Sequence, residues 1–281
     1  MTYREVLLEA ARTFEESETP FLDALLLLAA SLGATKEQVL VRLPEQAAVI
    51  PQQFHEYVQR RRQGESIAHI LGYREFYGHL FLVNDDVLTP RPDTETLVEA
   101  ALEVGDALAG SRPDQRIRVL DLCTGSGAVA ISLAGERPLW SVSGADISLA
   151  ALDVARYNAR KALEREMTFL QSDLFSAIHG KFHLITANPP YVPTDQARGL
   201  KLKGWKDPLI ALDGGDDGMD LIRRIIEEAP AFLEEGGALV MEMDPAQIPC
   251  AGELLAEAGF REIKVWKDLG GHARVTGGIH D

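Results

Sequence analysis

The chain has 281 residues, a formal net charge of −15 at pH 7, 46% hydrophobic residues and 25% charged residues. These values predict an ordinary globular protein with a large and a small domain. The acidity argues against a nucleic-acid substrate bound by a basic face, and no apolar run is long enough to span a bilayer.

The N-terminus, the cysteines and the histidines narrow the expected class of protein further. Met1 to Glu5 lacks a basic region followed by an apolar core, so we predict no signal peptide. Cys123 and Cys250 lie in different segments, as is typical of a reducing cytosol. The histidines show no metal-ligand spacing. We therefore expect a cytoplasmic protein without a membrane segment, a disulfide or a metal.

Residues 1–75 predict a small helical bundle. Apolar residues repeat at helix spacing, Pro20 suits the first turn of a second helix, and Thr35 with Gln38 forms a capping box for a third. The basic run Arg60–Arg62 at the end of a fourth helix is interpreted as a solvated face near the helix dipole. No catalytic constellation is found here.

A hairpin and an extended segment follow. Tyr73 to Val83 predicts two strands around a turn, and we expect residues 76–92 to link the two domains. The extended stretch ends where Asp93 or Thr94 caps a helix. Arg91 either positions a cofactor or substrate near the cleft or pairs with an acid at the domain joint.

From residue 117 onwards, strand patterns alternate with helical patterns. This predicts an α/β domain over residues 93–281, with a Rossmann-like parallel sheet and helices on both faces. Residues 192–205 predict a polar loop that covers the cleft or shapes its entrance, and residues 219–233 a helix. The predicted strands are Ile117–Leu122, Trp140–Ala145, Met167–Gln171, Phe182–Ala187, Ala238–Met243, Ile263–Lys267 and Ala273–Thr276.

Polar residues end the first three of these strands, at the edge where open α/β sheets bind ligands. The Gly-rich turn Cys123–Gly127 joins a strand to a helix and lets backbone N–H groups approach a ligand. Asp146 ends the next strand at the spacing typical of an acid that binds a ribose diol. Asp173 and Leu174 end the third and suit the edge and face of an adenine. We predict a nucleoside-like ligand.

The run Asn188–Tyr191 (Asn-Pro-Pro-Tyr) follows the fourth strand. Its two prolines remove two ladder donors, so the chain must leave the sheet there. Asn188 Oδ1 and a proline carbonyl offer two acceptors for one planar –NH2 group, and Tyr191 offers a flat face. This suits an amide or an aromatic amine as the nucleophile. The alternative is a rigid turn after a buried strand.

Four segments together resemble a known family. Asp-Leu-x-Thr-Gly-Ser-Gly at 121–127 and Asn-Pro-Pro-Tyr at 188–191 resemble S-adenosylmethionine-dependent methyltransferases that modify planar amino groups. With Pro90–Glu95 upstream and Ala211–Gly218 downstream, the chain resembles the protein-(glutamine N(5)) methyltransferases of the PrmC/HemK type, which act on peptide chain release factors. The resemblance covers nearly the whole chain, including the helical leader.

The resemblance implies a class I methyltransferase sheet and methyl transfer to a side-chain amide. The acceptor is the glutamine in the Gly-Gly-Gln motif of release factors, the cofactor is S-adenosylmethionine, and the product is S-adenosylhomocysteine, with no metal. Residues 1–75 recognise the protein substrate. We expect a monomer that contacts no nucleic acid directly.

The family's roles carry over by position. Cofactor binding falls to Cys123, Thr124, Gly125, Ser126, Gly127, Asp146, Asp173, Leu174 and Asn188. Catalysis falls to Asn188, Pro189, Pro190 and Tyr191, and substrate binding to the same four residues and Arg91. These motifs contain no histidine or paired carboxylate, so we expect no dedicated general base.

Three departures from the family pattern are expected to be tolerated variation. Cys123 stands where relatives usually have Gly, and Leu174 stands where some have an aromatic residue. Residues 242–244 read Glu-Met-Asp where the family usually has Glu-x-Gly.

Other functions fit parts of the sequence. A ribosomal-protein glutamine or a flipped-out nucleic-acid base would use the same pocket, although the chain lacks a distributed basic face. A dinucleotide-dependent oxidoreductase would share the Gly-rich turn and Asp146, but the three-glycine fingerprint is absent and the run Asn188–Tyr191 has no use there. A catalytically silent binding module is the remaining class, and the intact run argues against it.

Overall fold

The computed structural model describes residues 1–15, 17–112 and 114–281, which form two compact units. One unit contains Met1–Tyr73 and Leu200–Lys206, and the other contains Arg74–Gly199 and Asp207–Asp281. This division differs from the predicted boundaries at residues 75 and 92. Phe76 and Phe81, from the predicted linker, are buried in the core of the second unit, so the hairpin is part of that core.

The first unit is helical, as predicted. Thr35 and Gln38 form the predicted capping box, with both reciprocal hydrogen bonds present. Arg61 was expected to be solvated, but its side chain is mostly buried and its Nε lies 2.8 Å from Asp23 Oδ2. Asp23 compensates the charge of Arg61, because an unpaired charge is costly away from water. The helices are α1 Tyr3–Ala11, α2 Pro20–Ser31, α3 Lys36–Val41, α4 Gln52–Arg62 and α5 Ile67–Leu71.

The second unit alternates strands and helices. Its strands are β1 Tyr73–Phe76, β2 His79–Leu82, β3 Arg118–Leu122, β4 Ser141–Asp146, β5 Thr168–Gln171, β6 Phe182–Ala187, β7 Leu233–Glu242, β8 Phe260–Lys267 and β9 Ala273–His280. Its helices are α6 Glu95–Ser111, α7 Ala128–Glu136, α8 Leu149–Leu163, α9 Thr194–Leu202, α10 Asp220–Glu228 and α11 Ile248–Glu257, and residues 200–202 of α9 pack with the first unit.

The sheet has the strand order β5-β4-β3-β6-β7-β9-β8 over the described residues. The first five strands in this order pair in parallel, and β9 is antiparallel to both β7 and β8. Val119 faces one apolar cluster, with α6, α7 and α8, while its neighbour Leu120 faces another, with α10 and α11. The predicted α/β sheet with helices on both faces is confirmed. Its order reverses at β3, where such sheets bind ligands.

Two predicted elements differ from the structure. The polar loop expected at 192–205 contains the helix α9, whose amphipathic pattern is hidden by many polar residues. The helix expected at 219–233 ends at Glu228 in a short 3₁₀ turn, because Pro230 cannot continue the α-helical hydrogen bonds. Strand β7 consequently begins at Leu233, five residues earlier than predicted.

Cys123 and Cys250 are both free thiols. In the described parts of the chain, no helix is long and apolar enough to cross a membrane. Nor do those residues bring three or more His, Cys, Asp or Glu side chains together in a way that suits a metal ion.

Candidate functional site

A cavity of about 870 Å³ opens at the carboxyl ends of β3, β4, β5 and β6. Strand alignment produces this arrangement, since Leu122, Ala145 and Ala187 lie in register across β3, β4 and β6. The predicted cofactor residues in its wall are Cys123, Thr124, Gly125, Ser126, Asp146, Asp173, Leu174 and Asn188. The ninth predicted residue, Gly127, is the N-cap of α7 in a left-handed conformation.

The Gly-rich turn is held by hydrogen bonds to the neighbouring strand. Gly125 N donates to Asp146 Oδ2 over 2.9 Å, and Ser148 N donates to Asp146 Oδ1 over 2.9 Å. Asn158 fixes the turn from behind, because its Nδ2 donates to the Ser126 carbonyl over 3.0 Å. Burial raises the pKa of Asp146 above its usual range. The wall therefore offers an acidic group and a rigid backbone at the ends of β3 and β4.

Cys123 takes a left-handed backbone conformation with φ 53°. This is the conformation that glycine adopts without strain, and a side chain there costs about 1–2 kcal/mol. The departure from Gly therefore places a side chain in a strained backbone conformation. Burial raises the pKa of the Cys123 thiol, which is therefore neutral at pH 7.

Asp121, one residue before the end of β3, is almost fully buried under the turn. Its Oδ2 accepts from Thr124 Oγ1 over 2.6 Å, and its Oδ1 accepts from Thr186 Oγ1 over 2.8 Å. Burial raises the pKa of Asp121 to about 7, despite these two hydrogen bonds. The residue ties the Gly-rich turn to β6 and so joins the first and fourth strand ends.

Asn188 is held at one end only. Its Nδ2 donates to Thr94 Oγ1 over 3.2 Å, and its side chain forms part of the cavity wall. Among the described residues its Oδ1 has no hydrogen-bond partner, although that atom is buried. Buried polar atoms are nearly always paired in native proteins, so an unpaired acceptor beside a cavity indicates a place for a ligand's donor. Asp93 or Thr94 was predicted to cap α6; Thr94 is at the N-cap position, but its side chain makes no capping hydrogen bond.

Pro190 lines the cavity, whereas Tyr191 reaches into the protein. The Tyr191 hydroxyl donates to Glu242 Oε1 over 3.3 Å, and burial raises the pKa of the tyrosine. Glu242 ends β7 and is 1% exposed. The predicted contact between Tyr191 and a planar substrate group stays a prediction.

The loop Asn188–Tyr191 is supported by two later segments of the chain. A Cβ at Gly218, which has φ 75°, would overlap the carbonyl oxygen of Tyr191. A Cβ at Gly214 would lie 2.6 Å from the carbonyl oxygen of Pro190. Gln247 Nε2 donates to the Tyr191 carbonyl over 2.9 Å and to the Gly218 carbonyl over 3.2 Å. The turn at 213–218 therefore packs backbone to backbone against the loop, and Gln247 links the two.

Arg91 pairs with an acid and also lines the cavity. Its Nη2 lies 2.7 Å from Asp207 Oδ2, while Asp207 Oδ1 accepts from the backbone N and the hydroxyl of Thr89. The pairing considered for Arg91 is thus present, with a partner in the same unit. Its predicted role in substrate binding stays a prediction.

Four residues of this site were not among the predicted cofactor, catalytic or substrate residues: Thr94, Asn158, Glu242 and Gln247. Each acts on a residue more than thirty positions away, so local periodicity contains no signal for them. Thr94 and Glu242 lie in segments that were compared with the family pattern, at 90–95 and 242–244. That comparison was the only feature of the sequence that could have drawn attention to them.

Two family models match separate parts of the chain. Residues 5–72 match the model described as the PrmC N-terminal domain. Residues 106–201 match the model described as the methyltransferase small domain. The second match contains the Gly-rich turn and the loop Asn188–Tyr191.

Curated relatives match over nearly the full length. A release factor glutamine methyltransferase of Burkholderia pseudomallei is 39% identical over 96% of this chain and 95% of its own. Enzymes of the same name from Moorella thermoacetica and Escherichia coli are 38% and 36% identical, covering 98% of this chain and 97% and 98% of their own.

A solved structure gives a fold-level match. The 16S rRNA N2 G1207 methyltransferase of T. thermophilus, in complex with AdoMet and guanosine, has a TM-score of 0.51 and is 21% identical. The match covers 74% of this chain and 50% of that one. At this identity the likeness shows the sheet architecture and nothing about the substrate.

We expect Gly218→Ala to destabilise the protein by about 3 kcal/mol, because it adds a backbone clash to the strain of a left-handed residue. Gly271→Ala is the matched control, since Gly271 has φ 84° but no atom within 4 Å of its Cβ position. The control should cost only about 1 kcal/mol. Denaturant unfolding of both variants tests this, and equal losses would show that the contact with Tyr191 is unimportant.

Burial raises the pKa of Glu242 to about 7, above the value of roughly 4.3 in an unfolded chain. The folded state therefore binds this proton more tightly, and the stability it contributes is lost as the pH rises through about 7. Glu242→Gln removes that loss. From about pH 5 to about pH 8, the variant's free energy of unfolding relative to wild type should rise by on the order of 1–3 kcal/mol in denaturant titrations. A constant difference would refute the buried titration.

Proposed function

The chain belongs to the release factor glutamine methyltransferase family, and from this membership we propose that it methylates the glutamine of the Gly-Gly-Gln motif in peptide chain release factors. The methyl group goes from S-adenosylmethionine to the side-chain amide nitrogen. The enzyme is an S-adenosylmethionine-dependent methyltransferase.

The observation that carries the proposal is the half-held amide of Asn188. Asn188 Nδ2 donates to Thr94 Oγ1, and among the residues that the structure describes its buried Oδ1 has no hydrogen-bond partner beside the cavity. A primary amide brings the N–H donor that this acceptor needs. A ligand without such a donor would leave Oδ1 unpaired, at a cost of about 1–3 kcal/mol.

The residues of the wall suit the proposed cofactor. Backbone groups of the turn 123–127 would hold its methionine part, Asp146 its ribose hydroxyls, and Asp173 with Leu174 its adenine. A cavity of about 870 Å³ is within the range of small-molecule and cofactor sites. When bound, S-adenosylmethionine supplies a methyl group on a positively charged sulfur, so the chain itself needs no electrophile.

The protein's part in the reaction is to orient a poor nucleophile. An amide nitrogen shares its lone pair with the carbonyl, so it reacts slowly unless it is held in place. Asn188 Oδ1 and the Pro189 carbonyl would accept hydrogen bonds from the two N–H groups of the substrate amide. These bonds would increase the electron density on its nitrogen as the bond to the methyl carbon forms. Pro190 keeps the loop stiff, and Tyr191 anchors its end through the hydrogen bond to Glu242. Positioning of this kind lowers barriers by several kcal/mol, about 7–11 at best.

No dedicated base is assigned, and the proton leaves from the methylated amide to water. Arg91 lines the cavity and is held there by Asp207. In this proposal its side chain helps to bind the substrate. Residues 1–75 recognise the release factor outside the cavity. The enzyme acts as a cytoplasmic monomer without direct contact to nucleic acid.

Mass spectrometry of a purified bacterial release factor, after incubation with the enzyme and S-adenosylmethionine, tests the function. We expect one added methyl group on the Gly-Gly-Gln glutamine. Asn188→Ala should lower the rate by about 100-fold or more, since one oriented catalytic hydrogen bond is lost. A release factor with that glutamine replaced by alanine is the control and should gain no methyl.

The negative outcomes separate two errors. Methylation of a ribosomal protein or of a nucleic acid, with none on release factors, would keep the chemistry and reject the substrate. Full activity of Asn188→Ala would keep the substrate and reject the role of the amide.

A further inference from the structure

The turn after β5 contributes three consecutive residues to the cavity wall: Ser172, Asp173 and Leu174. Leu174 has φ 47°, in the left-handed region of backbone conformations. This conformation is unfavourable for a residue with a side chain, and residues held in it are concentrated at functional sites. The proposed function assigns the adenine of the cofactor to Asp173 and Leu174, so the groups that hold this turn also bear on cofactor binding.

The hydroxyl of Ser172 holds the turn from inside. Ser172 is 5% exposed, and its Oγ donates to the Leu174 carbonyl over 2.7 Å. The same oxygen accepts from Ala177 N over 3.0 Å. One buried hydroxyl therefore joins two parts of the turn, and alanine at position 172 would remove both hydrogen bonds.

The backbone of Asp173 is fixed on both sides by Ser176. Asp173 N donates to Ser176 Oγ over 3.2 Å, and the Asp173 carbonyl accepts from Ser176 N over 3.0 Å. The turn is also attached to the end of β4, because Ser172 N donates to the Asp146 carbonyl over 2.9 Å. The acid proposed for the adenine is thus held next to the acid proposed for the ribose.

Arg224 holds the carboxylate of Asp173. Its Nη1 donates to Asp173 Oδ1 over 3.1 Å, and its Nε lies 3.5 Å from Glu228 Oε1, one turn further along α10. Both Arg224 and Asp173 line the cavity. A guanidinium placed between two acids restricts the orientation of each carboxylate, and this one leaves Asp173 Oδ2 to accept from a ligand.

We propose that Ser172 and Arg224 are positioning residues for the base of the cofactor. Ser172 fixes the backbone of the turn and Arg224 fixes the carboxylate, so that Asp173 accepts a hydrogen bond from the exocyclic 6-amino group of adenine. The inference rests on the proposed function, which places the adenine at Asp173 and Leu174. Its consequence is specificity for a 6-aminopurine over a purine that has no amino group to donate.

A purely structural role of the two residues makes a different prediction. If Ser172 and Arg224 only stabilised the end of β5, replacing them would weaken every ligand of the cavity by the same factor. If they position Asp173, replacing them weakens a ligand that has the 6-amino group and leaves a ligand without it nearly unchanged. The ratio of two dissociation constants therefore separates the two roles.

The experiment measures the Kd of S-adenosylhomocysteine and of its analogue in which purine, without the 6-amino group, replaces adenine. We expect wild type to bind S-adenosylhomocysteine about tenfold more tightly, since a hydrogen bond to a charged group has about this value. In Ser172→Ala this ratio should fall to about threefold or less. In Arg224→Ala it should fall by about two- to fivefold, as befits a half-exposed ion pair.

Each variant has a matched control. Ser132→Ala also removes a buried hydroxyl that donates to a backbone carbonyl over 2.8 Å, but within α7. Arg223→Ala removes the neighbouring arginine of α10, which has the same 44% side-chain exposure and pairs with Asp217. Both controls should keep the wild-type ratio. Denaturant unfolding shows whether each variant is folded, and if Ser172→Ala is not, Arg224→Ala decides alone.

The outcomes distinguish the inference from the proposed function. Equal Kd values for the two ligands in wild type, or an unchanged ratio in the folded variants, would overturn the inference without affecting methyl transfer to release factors. The expected ratios, together with no methyl transfer to any release factor, would support the inference and reject the substrate. If wild type did not bind S-adenosylhomocysteine at all, the cofactor would be wrong and the inference would be overturned with it.

Discussion

The site depends on how the chain leaves the sheet after β6. Pro189 and Pro190 have no N–H groups, so this loop cannot be held by the ladder hydrogen bonds that fix an ordinary strand. Its position is instead set by contacts with distant segments: the backbone of residues 213–218 packs against it, and Gln247 links the two. The prolines restrict the φ angles of the loop, but they form no hydrogen bonds through backbone N–H groups that would fix its position. Its geometry is therefore a property of the assembled sheet.

Acidic side chains line the cavity at three strand ends, and they differ in burial and in their hydrogen-bond or ion-pair partners. Asp121 is buried, and Asp146 raises its pKa further through like charge. Asp173 is more exposed and pairs with Arg224 over 3.1 Å. A cationic ligand would be attracted by the negative charges of this wall. This wall therefore suits a positively charged sulfur better than a phosphate group, in agreement with the family.

The sheet and its strand ends were predictable because they are encoded locally. Each parallel strand is a short apolar run, and the acids and glycines that follow it lie at fixed offsets from its end. The short helix α5 and the polar helix α9 were missed, since neither has a long apolar period. Asp93 or Thr94 was expected to cap α6, and Thr94 is at the N-cap position, but its hydroxyl bonds to Asn188 instead of to the helix backbone. Its hydroxyl accepts a hydrogen bond from Asn188, 94 positions later. The residues next to Thr94 in the sequence do not indicate such a partner.

The order of the segments along the chain has a consequence for fragments of this protein. Every residue of the recognised cofactor and acceptor motifs lies before position 192, whereas the groups that hold the loop, at Gly218, Glu242 and Gln247, come later. Until β7 is synthesised, β6 is also an outer edge of the sheet. A polypeptide truncated after Tyr191 would carry both diagnostic motifs and yet lack the contacts that fix the geometry of the second. Possession of the motifs is thus a poor indicator of activity in a partial gene product.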